Sequence, residues 1–243
     1  MRALLAVIAL CWTAGTAAAA SCQDTTYDGN SYTVCTVDAA TEELRLFHKD
    51  DDGQIIGSLT AIADLPDVGD VAFAMNAGMY HSDRSPVGHY VEDGVETMRV
   101  IPNAGPGNFG LLPNGVFCIT DTQAMIYETT AYLDARPACR DATQSGPMLV
   151  IDGALHPRFL PDSRSRYVRN GVGVSADGRS AVFVISNAPV TFHEFGSFFR
   201  DALDLPNALY FDGKVSRLYA PELGRSDFGF ALGPMVAVVK PAS

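Results

Sequence analysis

Eight Asp-Gly or Asn-Gly pairs punctuate this chain, beginning at Asp28, Asp52, Asp93, Asn114, Asp152, Asn170, Asp177 and Asp212. Such pairs adopt the left-handed backbone that tight hairpin turns require. Several stand between runs of strand-forming residues. GVGVSADGRSAVFVIS (171–186) is the clearest, with two apolar runs about an Asp-Gly turn. LRLFHKDDDGQIIGSL, FGLLPNGVFCIT and ALYFDGKVSRLY read the same way. The pattern predicts a fold rich in antiparallel sheet.

One helix is well marked. In PVTFHEFGSFFRDALDLP, Thr191 and Glu194 form a T-x-x-E capping box, and Val190 and Phe195 can staple its entry. Phe192, Phe195, Phe199 and Ala202 or Leu203 then make an apolar stripe that Pro206 ends. A second helix is expected over about residues 130–136. The expected class is α+β, a mostly antiparallel or mixed sheet with a few packed helices, in a single domain over residues 21–243.

Residues 1–20, MRALLAVIALCWTAGTAAAA, read as a cleaved secretory leader: one Arg, a short apolar run, then small residues. No later stretch approaches the roughly 18 apolar residues of a membrane helix. Without Cys11, four cysteines remain, Cys22, Cys35, Cys118 and Cys139, an even count that suggests two disulfides in an oxidising compartment. Of three pairings, the local one, Cys22–Cys35 with Cys118–Cys139, is expected. The localisation that follows is periplasmic or secreted. The net charge of −11 argues against nucleic acid or an anionic membrane as partner. The sequence sets no oligomeric state.

Several polar corners could carry chemistry. VAFAM (71–75) is apolar without interruption and runs straight into Asn76, Ala77 and Gly78. An Asn buried there needs a fixed partner, so it either caps a turn or holds a ligand. Gln144, Ser145 and Gly146 precede another short apolar strand, where backbone amides could face a ligand or simply form a turn. Ser145 lies in no G-x-S-x-G elbow, which disfavours a serine hydrolase. Arg158, Arg164, Arg166 and Arg169 crowd into twelve residues. Their planar forks suit phosphate or carboxylate, although each could also pair with an acid in a solvated loop. Arg169, just before the 171–186 hairpin, is the best candidate. Asp212 ends an apolar strand and is either a site carboxylate or the first residue of a turn. Glu194 is explained by the capping box. The histidines are not at metal-ligand spacing.

FAMNAGMY, ATQSGPMLV, RNGVG, SNAPVTFHEFGSFFRD, NALYFDGKVSRLYAPELGRSD and LGPMVAVV, in this order, resemble the phosphodiester glycosidase family, above all its small exported bacterial members. The likeness runs from about residue 34 to 239. It implies an α+β domain whose cleft is lined by the motif ends: Asn76 and Gly78, Gln144–Gly146, Arg169, Asn170 and Gly171, Ser186 and Asn187, and Asp212 and Gly213. Lys214-Val215-Ser216 after Asp212-Gly213 is the pattern the resemblance implies for the bacterial branch. The implied activity is hydrolysis of a sugar C1–O–phosphate bond in a sugar-phosphodiester or polysaccharide. Phosphate already leaves readily, so a guanidinium that neutralises its developing charge can replace much of a general acid's work. A carboxylate is still wanted near the anomeric carbon. Arg169 and Asp212 are expected in these roles, with Asn76 and Gln144 orienting the substrate. No cofactor is required by the sequence, and a divalent cation could assist at Asp212. Two other classes predict different behaviour: a non-catalytic glycan-binding module using the same cleft, and an inhibitor or envelope scaffold with no ligand.

Overall fold

A computed structural model describes residues 20–241; the rest of the expected leader lies outside the described residues. Three antiparallel sheets carry the chain. The seven-stranded sheet runs in the order Ser21–Tyr27, Asn30–Asp38, Ser180–Ser186, Asn170–Val174, Asn207–Asp212, Met148–Ile151, Ala154–Leu155. A five-stranded sheet runs Arg225–Ser226, Leu218–Ala220, Val68–Asn76, Met235–Pro241, Glu43–Phe47. A second runs Val95–Met98, Tyr90–Glu92, Asp141–Ser145, Gly115–Ile119, Ala124–Glu128. The class is α+β, dominated by antiparallel sheet as the sequence predicts.

Phe183 ties the layers together. Its ring centroid lies 5.2 Å from that of Phe73 and 5.8 Å from that of Phe117, one partner in each five-stranded sheet. Around it one buried apolar cluster draws residues from all three sheets, so they share a core. Both helices stand where expected. Thr129–Ala135 is short, and its end residue Arg136 is left-handed. Phe192–Ser197 opens with the Thr191–Glu194 capping box and continues as a wider π turn over Phe198–Ala202. Phe195, Phe198 and Phe199, spaced i, i+3 and i+4, all reach the core face. The cysteines pair locally as expected, Cys22 with Cys35 and Cys118 with Cys139.

The turn pairs divide into two groups. Asp28-Gly29, Asp93-Gly94 and Asp152-Gly153 have positive φ at both residues and close hairpins, and Asp177-Gly178 closes the 171–186 hairpin. The other four do not join paired strands. Asp52-Gly53 supports only an isolated Lys49–Ile55 bridge. Asn114 precedes a strand, and its side chain donates to Phe109 O (2.9 Å) and accepts from Thr129 Oγ1 (2.6 Å). Asn170 lies inside a strand. After Asp212 the chain crosses into a different sheet, so ALYFDGKVSRLY is no hairpin. At Asn114 and Asn170 the side chain is engaged by other parts of the chain, and these tertiary contacts override the turn preference.

Candidate active site

A cleft of about 560 Å³ opens above the end of strand Asn207–Asp212. One wall is Met79, Tyr80 and Val87, from the chain that follows strand Val68–Asn76. The GPGNFG loop supplies Asn108 and Phe109, and the Arg-rich loop supplies Ser165 and Tyr167. Tyr210 and the run from Asp212 to Val215 complete it. Side chains two apart on a strand share a face, which is why Tyr210 and Asp212 meet in the same cavity.

Asp212 is the only acid that lines this cleft among the described residues. Its backbone N–H donates to Asn170 Oδ1 at 3.1 Å, fixing the strand end. Carboxylate Oδ1 accepts from the amides of Gly213 (2.6 Å) and Lys214 (2.8 Å). Oδ2 has no hydrogen-bond partner among the described residues. Burial raises the carboxyl above the ordinary Asp range, against the pull of the amides of Lys214, Gly213 and Val215 and the Lys214 charge. A carboxylate held by one oxygen and bare at the other is suited to accept a proton from water or to face a developing cation.

Arg169 lies beneath the cleft and does not line it. It is fully buried. Nε donates to Val190 O at 2.8 Å, Nη2 to Ser165 O at 3.0 Å, and Nη1 to the Tyr210 hydroxyl at 3.4 Å. The guanidinium carbon stands 3.7 Å from the centroid of the Phe192 ring, a close cation–π contact. No ion pair to Arg169 exists among the described residues, and desolvation lowers its pKa. A buried cation held only by carbonyls, a hydroxyl and aromatic faces keeps its charge uncompensated. With Lys214 at the rim, it gives the cleft of an acidic protein a local preference for anions. Tyr210, which lines the cleft and meets Arg169 through its hydroxyl, stands between the guanidinium and the cavity. A Cβ at Gly213 would collide with the Tyr210 hydroxyl, so this position admits only glycine while the hydroxyl stays in place.

The remaining predicted residues do not line the cleft, and only some of them support its floor. Asn76 is fully buried and grips Asn170: Asn170 Nδ2 donates to Asn76 O at 2.8 Å and to Asn76 Oδ1 at 3.2 Å. Asn76 Oδ1 also accepts from Arg217 N at 2.9 Å. Ser186 Oγ accepts from Arg169 N at 2.9 Å. Ser145 Oγ donates to Phe211 O at 3.1 Å. Gln144 is committed to its own neighbours, His89 N, Ile101 N, Ile101 O and Thr129 Oγ1. Gly78 packs on Thr143, Gly146 on Asn114, and Gly171 on the Leu209 carbonyl. Asn187 stands apart in a second, polar pocket with Asp24, Arg225 and Asp227. Tyr80, Asn108, Ser165, Tyr167, Tyr210 and Lys214 are not among the residues chosen from the sequence. The alternation in ALYFD could have found Tyr210, because it shares a strand face with Asp212.

The sequence pattern of the phosphodiester glycosidase family matches residues 69–227, which hold Asn76, Arg169 and Asp212. The chain belongs to the phosphodiester glycosidase family. Among curated proteins it is 34% identical over 185 residues to YigE of Escherichia coli K12, an uncharacterised protein, across 76% of this chain and 72% of that one. Among solved structures it is similar to the zebrafish N-acetylglucosamine-1-phosphodiester alpha-N-acetylglucosaminidase catalytic domain, described as auto-inhibited by its pro-peptide. That likeness has a TM-score of 0.63 at 13% identity, over 91% of this chain and 82% of the other. A hypothetical protein from Synechocystis gives a TM-score of 0.62 at 14% identity, over 90% of this chain and 61% of that one. At such identities the structural likeness is one of fold. The phosphodiester glycosidase assignment rests on the sequence match, and the cleft lies within the matched segment.

Proposed function

We propose that this phosphodiester glycosidase is an exported hydrolase that cleaves the sugar C1–O–phosphate bond of glycosyl-1-phosphodiesters. The observation that carries the reading is the free Oδ2 of Asp212 in one cleft with a Tyr210 hydroxyl backed by the buried Arg169. The phosphodiester group would lie toward Tyr210 and Lys214, where positive charge is concentrated. As the C1–O bond breaks, its electron pair passes to the phosphate oxygen, and the Tyr210 hydroxyl and Arg169 field stabilise that charge. Water adds to the anomeric carbon and gives its proton to Asp212. The products are a free sugar and a phosphate monoester.

Two disulfides support export, because such bonds persist in oxidising compartments. No described helix is long and apolar enough to cross a membrane. Among the described residues no group of three His, Cys, Asp or Glu side chains forms a metal site. A divalent cation assisting the phosphate would meet Asp212 Oδ2.

Incubation of the purified protein with UDP-N-acetylglucosamine, other UDP-sugars and p-nitrophenyl glycosyl phosphodiesters tests the reading. Release of free sugar that Asp212→Asn abolishes is the expected result. Saturable binding of these compounds with no release would instead make the chain a glycan-binding module.

A further inference from the structure

Two phenylalanines stand almost wholly in solvent: Phe228 is 95% exposed and Phe230 85%. The loop that carries them is anchored. Arg217 Nη1 donates to Phe230 O at 2.6 Å, and the Arg217 guanidinium occupies the space a side chain at Gly229 (φ +157°) would need. Arg217 N is itself bound by Asn76 Oδ1, and Gly233 just beyond the loop packs on the ring of Tyr80, a wall of the cleft. The loop that bears the two rings is therefore tied to the Asn76 strand end and, through Gly233, to a residue of the cleft wall.

Next to them lies the polar pocket of about 460 Å³ that contains Asn187. There Arg225 Nη1 donates to Asn187 Oδ1 at 2.7 Å and Nη2 meets Asp227 Oδ2 at 2.9 Å. Ile185, Asn170 and Asp212 stand in register across three adjacent strands. Asn187, two residues past Ile185, is thus two strand spacings from the Asp212 strand, about 10 Å. Asp227, which lines the polar pocket, directly precedes Phe228 in the chain, so the rings and the pocket belong to one loop region.

We propose that Phe228, Phe230 and the Asn187–Arg225 pocket form a subsite for an oligosaccharide that continues from the sugar held in the cleft. Sugars combine two kinds of surface. Their slightly positive ring C–H faces pack on the negative faces of aromatic rings, and their hydroxyls suit Asn, Asp and Arg side chains. Both are present here side by side. Other occupants fit less well. Two aromatic side chains offer roughly 300–500 Å², well short of the roughly 800 Å² per partner that a stable protein interface buries. An acidic chain with Asp24 and Asp227 beside the rings repels an anionic membrane. The assignment rests on the phosphodiester glycosidase reading for the cleft and makes its substrate a polymer rather than a lone glycosyl phosphate.

Calorimetric titration of the wild-type chain with neutral hexasaccharides of glucose, N-acetylglucosamine and mannose tests it. These sugars carry no phosphodiester, so the result stands whether or not Asp212 hydrolyses one. We expect at least one hexasaccharide to bind, its monosaccharide to bind far more weakly, and the Phe228→Ala/Phe230→Ala double variant to lose about 10-fold in affinity. The exposed rings leave folding untouched, so the variant's melting temperature should match the wild type. Hexasaccharide binding unchanged in the double variant, or none at millimolar concentration, overturns the proposal. So does a dimer in sedimentation, or adhesion to phosphatidylglycerol vesicles, that the double variant abolishes.

Discussion

Asn170 holds Asn76 across the junction of two sheets, with Nδ2 2.8 Å from the Asn76 carbonyl oxygen. The same residue's Oδ1 accepts from Asp212 N at 3.1 Å and from Ser216 Oγ at 3.2 Å. One buried amide therefore joins the end of strand Val68–Asn76 to the end of the strand that carries the cleft carboxylate. The abrupt change from apolar strand to Asn76 is explained by this clasp: the side chain binds another strand and does not line the cleft.

Asn170→Ala should be costly for that reason. It leaves Asp212 N and Asn76 O buried without partners, which costs about 3 kcal/mol at typical values for orphaned polar groups. Urea unfolding should show the loss. Turnover should fall more than substrate affinity, since the Asp212 carboxylate is displaced from its productive position. Full stability in this variant would mean that the clasp is replaced, for instance by water.

Arg169→Ala should cut turnover of a glycosyl phosphodiester by at least ~100-fold, the usual cost of losing one charge-stabilising group. Arg169→Lys should fare little better. An ammonium cannot reach Val190 O, Ser165 O and the Tyr210 hydroxyl at once. Tyr210→Phe keeps the ring and removes the hydroxyl that links guanidinium to cleft, so it should lie between wild type and Arg169→Ala. A folded Arg169→Ala enzyme with near-normal rates would remove Arg169 from the chemistry.

Local signals in the sequence foretold local structure well. The Thr191–Glu194 box, three of the Asp-Gly hairpin turns with the 171–186 hairpin, and both short-range disulfides depend on residues near each other in the chain. The motifs of the site were legible too, but as positions without directions. Nothing in RNGVG says that Arg169 points under the sheet toward Phe192, or that Asn187 turns toward Arg225, 38 residues away. Those directions follow from which strands become neighbours. Asn170 and Asp212 look alike as Asx-Gly turns, yet one is a buried clasp and the other a cleft carboxylate because their strands pair.

Asp212→Asn should abolish hydrolysis yet raise the melting temperature at neutral pH. Burial sets the native carboxyl pKa above its unfolded value. Ionisation therefore favours the unfolded chain, and whatever Asp212 contributes to stability is present at acid pH and lost as pH rises through the native pKa. An amide cannot ionise and still accepts from Gly213 and Lys214. The melting difference between variant and wild type should shrink toward about pH 4, the ordinary Asp range. A variant that melts lower at pH 7 would contradict this account.

Glu92 offers a second pH effect, separate from catalysis. It lines a pocket with Asp93 that shares no residue with the Asp212 cleft. Burial, with Asp141 and Asp93 nearby, lifts its carboxyl to about 7, against the donated hydrogen bond of the Tyr90 hydroxyl. In the unfolded chain a Glu titrates near 4.3, so between roughly pH 4.3 and 7 the native state holds a proton that the unfolded state has released. The sign is fixed: stability from Glu92 is complete below about 4.3, declines as pH rises, and is gone above the native value. Glu92→Gln should flatten that decline. Its urea midpoint should match the wild type at pH 4 and exceed it at pH 8, with hydrolysis rates unchanged. An equal slope in both proteins between pH 4 and 8 would place the titration on another group, with buried Asp141, also raised by desolvation, the first to examine.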